Sequence, residues 1–107
     1  MDALLVLTNL PDMAAATRLA QLLIAERLAA CVNVMAPCTS VYRWQGKTET
    51  AQEVPVFIKT RAELYEALEQ AIRTHHPYEL PEIVAVPLAR GLPEYLQWVV
   101  QETRAAT

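Results

Sequence analysis

Two extended arms, Ala30 to Trp44 and Lys47 to Thr60, flank a single Gln45-Gly46 step in the middle of this 107-residue chain. Each arm runs to about 14 residues, against about 5–6 for an ordinary strand. Gln45-Gly46 suits a two-residue hairpin loop, with glycine at a positive φ. In the return arm Val54, Val56 and Ile58 point one way and Phe57 the other. Helices of a chain this short can cover only the inner half of such a hairpin. The outer half, with Val41, Tyr42 and Trp44, is left wet, and the sheet face that carries Phe57 lacks a cover. The simplest solution is assembly, with the hairpin reaching onto a neighbouring copy and sheets facing one another around an axis.

The remaining segments fit around this hairpin. Ala3 to Thr8 is a continuous apolar run and reads as a buried central strand. Asn9 or Leu10 sits near a helix cap, with Pro11 in the first helical position. The helix predicted from there to Leu28 sets Ala15, Ala16, Leu19, Leu22 and Leu23 on one face and Arg18, Gln21 and Ala25 on the other. Ala30 to Val34 reads as a strand, interrupted by Met35-Ala36-Pro37-Cys38, where proline calls for a bend. Ser40 to Trp44 resumes it. Thr60-Arg61-Ala62-Glu63 has the spacing of a capping box. After it Leu64, Leu68, Ala71, Ile72 and His75 recur at helical spacing, and this helix ends near Thr74 or His75. Glu82 to Leu88 reads as a last strand, and Gly91-Leu92-Pro93-Glu94 opens a terminal helix with Leu96, Val99 and Val100 inward. The fold class is therefore α+β: a ferredoxin-like β-α-β-β-α-β antiparallel sheet with a long central hairpin and a C-terminal helix, in a multi-chain assembly.

The length suits one domain, 1–107, and 53% hydrophobic residues give ample material for a core. A net charge of −3 and a pI near 5.3 exclude the basic face that nucleic acid requires. The start, MDALLVLTNLPD, lacks a basic leader region, and its apolar run is far too short for a bilayer. The expected location is the cytoplasm, with no nucleic acid and no membrane as partner. Cys31 and Cys38 on one extended strand stand roughly 23 Å apart at ~3.3 Å per residue, and a disulfide needs about 7 Å or less between Cα atoms. A bridge between them is not expected, in keeping with a reducing compartment.

His75 and His76 are the two histidines of the chain, set in RTHHPYELPEI. Imidazoles suit Cu(II) or Zn(II), with carboxylate help. Neighbours on a helix diverge by about 100°, and on a strand they point to opposite faces. Chelation by both therefore needs a frayed helix end, where Pro77 forces His76 extended, or ligands from another subunit. The competing reading makes His75 a core or interface histidine, favourable near a helix C-terminus, with Pro77 as the helix stop. Cys31 is a small buried hydrophobe or takes a metal or redox role. Tyr78, Glu79 and Glu82 either serve a site or pair and pack across an interface. Trp44 reads as an interface anchor. Arg43 and Lys47 either hold an anion between subunits or keep a hairpin tip soluble. No nucleophile stands beside a base, and two glycines leave no phosphate loop.

AERLAACVNV (Ala25–Val34), SVYRWQGK (Ser40–Lys47), EVPVFIKT (Glu53–Thr60), HHPYELPEIVAVPL (His75–Leu88) and GLPEYLQWV (Gly91–Val99) are similar, in order and spacing, to the CutA divalent-cation tolerance family. The resemblance runs from about Leu4 to Glu102. It implies a ferredoxin-like fold in a tight homotrimer with long hairpins at the interface, similar in fold and assembly to the PII signalling proteins. Some bacterial members are credited with a copper site of one cysteine and two adjacent histidines. The histidines match His75 and His76. The cysteine's place is taken by Thr8 here, and Cys31 matches a different family position.

The resulting expectation is a non-enzymatic, cytoplasmic homotrimer that binds a divalent metal, Cu2+ at His75 and His76, in metal tolerance or response. The alternative is a PII-like sensor of a small molecule or anion, or an interaction scaffold. Its inter-subunit pocket would be lined by Cys31, Arg43, Trp44, Lys47, Tyr78, Glu79 and Glu82.

Overall fold

The computed structural model describes residues 2–105. The element order is β1 (Ala3–Leu10), α1 (Met13–Ala25), β2 (Cys31–Val34), β3 (Cys38–Trp44), β4 (Lys47–Arg61), α2 (Tyr65–His75), β5 (Ile83–Pro87) and α3 (Pro93–Glu102), with a 3₁₀ turn at Ala62–Leu64. One antiparallel sheet runs β2-β4-β1-β5, and β3 pairs with the outer part of β4. This is the ferredoxin-like topology with a prolonged central hairpin.

Strand alternation sorts the sheet into two faces. Val6, Val54, Val56 and Ile58 meet Leu19 and Leu23 of α1 and Leu68 and Ile72 of α2 in one core. On the other face the register aligns Val84, Leu7, Phe57 and Asn33 in one cross-sheet row, and Val86, Leu5, Lys59 and Cys31 in the next. Val84 and Val86 are about half exposed. The apolar second face expected from Phe57 is thus present and only partly covered.

The predicted bend falls at Met35–Pro37, where the Met35 amide donates to the Pro55 carbonyl. Beyond it β3 and β4 pair from Cys38↔Glu53 out to Trp44↔Lys47. Gln45 (φ 51°) and Gly46 (φ 79°) turn the chain, the two consecutive positive values of a tight hairpin. Val41, Tyr42 and Trp44 are exposed on the projecting arm, Val41 to 67%.

Three local expectations change. The cap of α1 is Asp12, whose carboxylate accepts from the Ala15 amide at 2.8 Å. Asn9 and Leu10 instead extend β1, opposite Pro55 and Val54, because the long return arm offers them ladder partners. The helix ends at Ala25, not Leu28: Arg27 adopts φ 55°, and the Leu28 amide returns to the Leu23 carbonyl, which turns Leu28 into the core. No capping box forms either. Thr60 is a fully buried residue of β4, and its hydroxyl donates to the Leu28 carbonyl at 2.7 Å. A buried carbonyl in need of a donor outranks a helix cap at the surface.

α3 is fastened at its C-terminal end. Arg27 donates through Nε to the Glu102 carbonyl and through Nη2 to the Gln101 carbonyl. The Arg104 amide returns to the Arg27 carbonyl. Val99 is the buried residue of this helix.

Candidate functional site

The histidine pair straddles the end of α2. His75 is the last helical residue and is exposed, while His76 is the extended cap residue (φ −90°, ψ 134°) and is 8% exposed. Proline at 77 excludes helical backbone at His76, so consecutive side chains leave in different directions. His76 Nε2 lies 2.6 Å from the Asn9 carbonyl, and its Nδ1 accepts from the Tyr78 amide at 3.2 Å. This pair of bonds defines the neutral tautomer with the proton on Nε2, because the Asn9 carbonyl can only accept. Burial lowers the His76 pKa below the usual histidine range, opposed in part by the Asn9 carbonyl and the Glu53 charge.

The Tyr78 ring sits 4.8 Å from the His76 ring at 54°. Its phenol pKa is pushed up to about 12, first by burial, then by its hydrogen bond to Glu53 and that group's charge. Glu53 is 9% exposed. The Asn9 amide donates to Glu82 at 3.0 Å. The bonds Glu82–Asn9, Asn9–His76 and His76–Tyr78 therefore tie the segment after α2 to β1. The periodicity of β4 left Glu53 unmarked, since alternation by itself does not report what covers a strand residue. Asn9, whose residue type suggests a helix cap, instead serves as the partner of His76 and Glu82.

His75 and His76 both border a cleft of about 420 Å³ between α1 and the end of α2, with Arg18, Leu19, Leu22 and Thr74. Among the described residues no three His, Cys, Asp or Glu side chains converge as metal ligands. With both His76 nitrogens engaged, the two imidazoles of one chain do not chelate one ion. A divalent metal does not fit a ligand set supplied by a single copy. Thr8 is buried in the sheet with its hydroxyl unpartnered.

The other predicted residues fall in three places. Arg43, Trp44 and Lys47 are exposed at the hairpin tip, where Arg43 donates to the Gly46 carbonyl at 3.3 Å. Tyr78, Glu79 and Glu82 lie on the segment after α2, Glu79 exposed. Cys31 stands opposite Lys59 at the far end of β4. From Lys47 to Lys59 a strand spans roughly 40 Å at ~3.3 Å per residue, close to the 44 Å length of the molecule. No single copy gathers these residues into one pocket.

The described residues hold no helix long and apolar enough to cross a membrane. Residues 4–102 match the model of the CutA1 divalent ion tolerance protein family. The divalent-cation tolerance protein CutA of Thermus thermophilus is 43% identical over 98 residues, 92% of this chain and 95% of that protein. Protein CutA of Mus musculus is 42% identical over 97 residues, 91% of this chain but 55% of that longer protein. Among solved structures, CutA from Xylella fastidiosa superposes with a TM-score of 0.94 at 43% identity, covering 97% of this chain and 100% of that one. The Thermus thermophilus structure gives 0.93 at 41% identity, covering 95% and 99%. Matches over nearly the whole fold at such identity leave one conclusion: the chain belongs to the CutA1 divalent ion tolerance protein family.

Proposed function

We propose that this chain works as a cytoplasmic homotrimer in the tolerance of, or response to, divalent metal, with Cu2+ bound through His75. As a member of its family the chain has a role in divalent-cation tolerance. The observation that carries the trimer is the partly bare sheet face, where Val84, Leu7 and Phe57 lie in one row, beside an arm that projects Val41 and Trp44. An apolar surface of this extent on a small chain is an association surface. His75 is the imidazole left accessible, at a helix C-terminus that favours a cation. The remaining ligands come from a second copy or from solvent. His76 acts as a positioning residue that holds the segment bearing His75 against β1.

A second reading is favoured by the scatter of Cys31, Tyr78 and the hairpin tip along β4. Only a neighbouring copy can bring Arg43 and Lys47 of one chain to Tyr78, Glu79 and Glu82 of another. Such a cleft would take a small anion or metabolite, as in a PII-like sensor. Light scattering on the full chain tests the assembly, and a mass equal to one chain overturns it. A chelator-buffered Cu(II) titration by calorimetry tests the metal. The His75 reading expects saturable binding that His75→Ala removes. Binding only at about 10 µM or weaker, near −7 kcal/mol, and equal in the variant, rejects it and moves attention to the inter-subunit cleft.

A further inference from the structure

Cys31 and Lys59 occupy directly opposed positions on β2 and β4, so their side chains rise from the same sheet face. Lys59 Nζ lies 4.0 Å from Cys31 Sγ and is held in place by a 2.7 Å bond to Asn33 Oδ1. Cys31 Sγ in turn lies 3.9 Å from the same oxygen. On α3, burial first and then the neighbouring Cys31 raise the pKa of the Tyr95 phenol. Sulfur, amine and phenol are all half-buried. Cys38 has a different setting, 3.8 Å from the Ser40 hydroxyl.

We propose that Cys31 and Lys59 form a reversible sulfur–nitrogen cross-link when the protein meets hydrogen peroxide. In the first step sulfur attacks one peroxide oxygen. The S–O bond forms, the O–O bond breaks, and the thiol hydrogen leaves with the departing hydroxide as water. Sulfur is oxidised by two electrons to the sulfenic acid and peroxide is reduced. The Lys59 ammonium, 4.0 Å from the sulfur, stands beside the charge that develops in this step. In the second step Lys59 gives a proton to solvent and its free amine attacks the sulfenic sulfur. The S–N bond forms, the S–O bond breaks, and the hydroxyl leaves as water with a further amine hydrogen. A dithiol reverses the product by attack at sulfur. The product staples edge strand β2 to β4 beneath α3 and removes the ammonium from Asn33.

The test is peroxide treatment of the full chain with intact mass and peptide mapping. The expected product is lighter by about 2 Da, the two hydrogens lost on oxidation, links the Cys31 and Lys59 peptides, and reverts with dithiothreitol. In Lys59→Met and Lys59→Arg the loss disappears, and Cys31 stops as a sulfenic acid trapped by dimedone. Thermal unfolding of the untreated variants checks that they fold. In Cys38→Ser the loss persists. A loss that vanishes in Cys38→Ser, or persists in both Lys59 variants, identifies a disulfide or another linkage and overturns the proposal. So does wild-type oxidation that stops at sulfenic or sulfinic acid with no lighter species.

Discussion

Replacing His76 and His75 by alanine, one at a time, separates two neighbours that look alike in the sequence. His76→Ala deletes a buried ring, strands the Asn9 carbonyl and the Tyr78 amide that it joins, and removes the ring contact with Tyr78. Each stranded buried group costs about 1–3 kcal/mol, less where water enters the vacated space. The lost ring pairing adds about 0.5–1.5 kcal/mol. With partial hydration the sum is about 2–4 kcal/mol. At this chain length that corresponds to a fall in Tm of roughly 10–25 °C. His75→Ala, at an exposed helix end, shifts stability by about 0.5 kcal/mol or less. The assay is thermal and denaturant unfolding at one fixed chain concentration, since assembly couples to stability. The pH dependence gives a second arm. Because burial lowers the folded-state pKa of His76, the unfolded chain binds the extra proton first as pH falls. The contribution of His76 is therefore complete above about pH 6.5 and is lost as pH falls from there through the folded-state pKa. His76→Gln should flatten that part of the profile. Equal losses in His75→Ala and His76→Ala, or a His76→Ala loss under about 0.5 kcal/mol, would refute the argument that His76 is a structural pin.

Thr60→Val should destabilise by about 1–2 kcal/mol by stranding the Leu28 carbonyl, whereas Glu63→Gln should leave denaturant midpoints unchanged, the reverse of what a capping box predicts. Tyr78→Phe should remove the highest step from a spectrophotometric phenol titration, near pH 12. In the wild type the raised Tyr78 pKa makes stability fall as pH rises from about 10 towards that value. Arg27→Ala should speed amide exchange across Gln97 to Glu102 more than across α1, because it uncaps the α3 carbonyls at Gln101 and Glu102. Gln45→Gly should raise Tm slightly, since glycine takes φ 51° without the steric cost that glutamine bears there.

Much of the fold could be read from local chemistry. The alternation of Val54, Val56 and Ile58 and the helical repeat of Leu64, Leu68 and Ile72 each bury one face whatever else happens. Gln45-Gly46 reverses an extended chain because glycine relieves the strain of positive φ. The excess length of the hairpin, and with it the wet outer arm, followed from counting residues. Boundaries did not follow. Asn9 and Leu10 became strand, and Thr60 turned from a helix cap to a buried donor, because partners far away in sequence at Pro55, Val54 and Leu28 offered ladder positions or needed a hydrogen bond. The site was divided in the same way. Adjacent residues diverge on any regular backbone, so the sequence by itself determined that His75 and His76 could not easily converge. Only tertiary structure decided which of them is free. The Asn9 carbonyl, at the end of a strand extended by its pairing with β4, reaches His76 and not His75. Hydrogen bonds across 67 residues have no local signature, and those bonds set which imidazole remains available to a ligand.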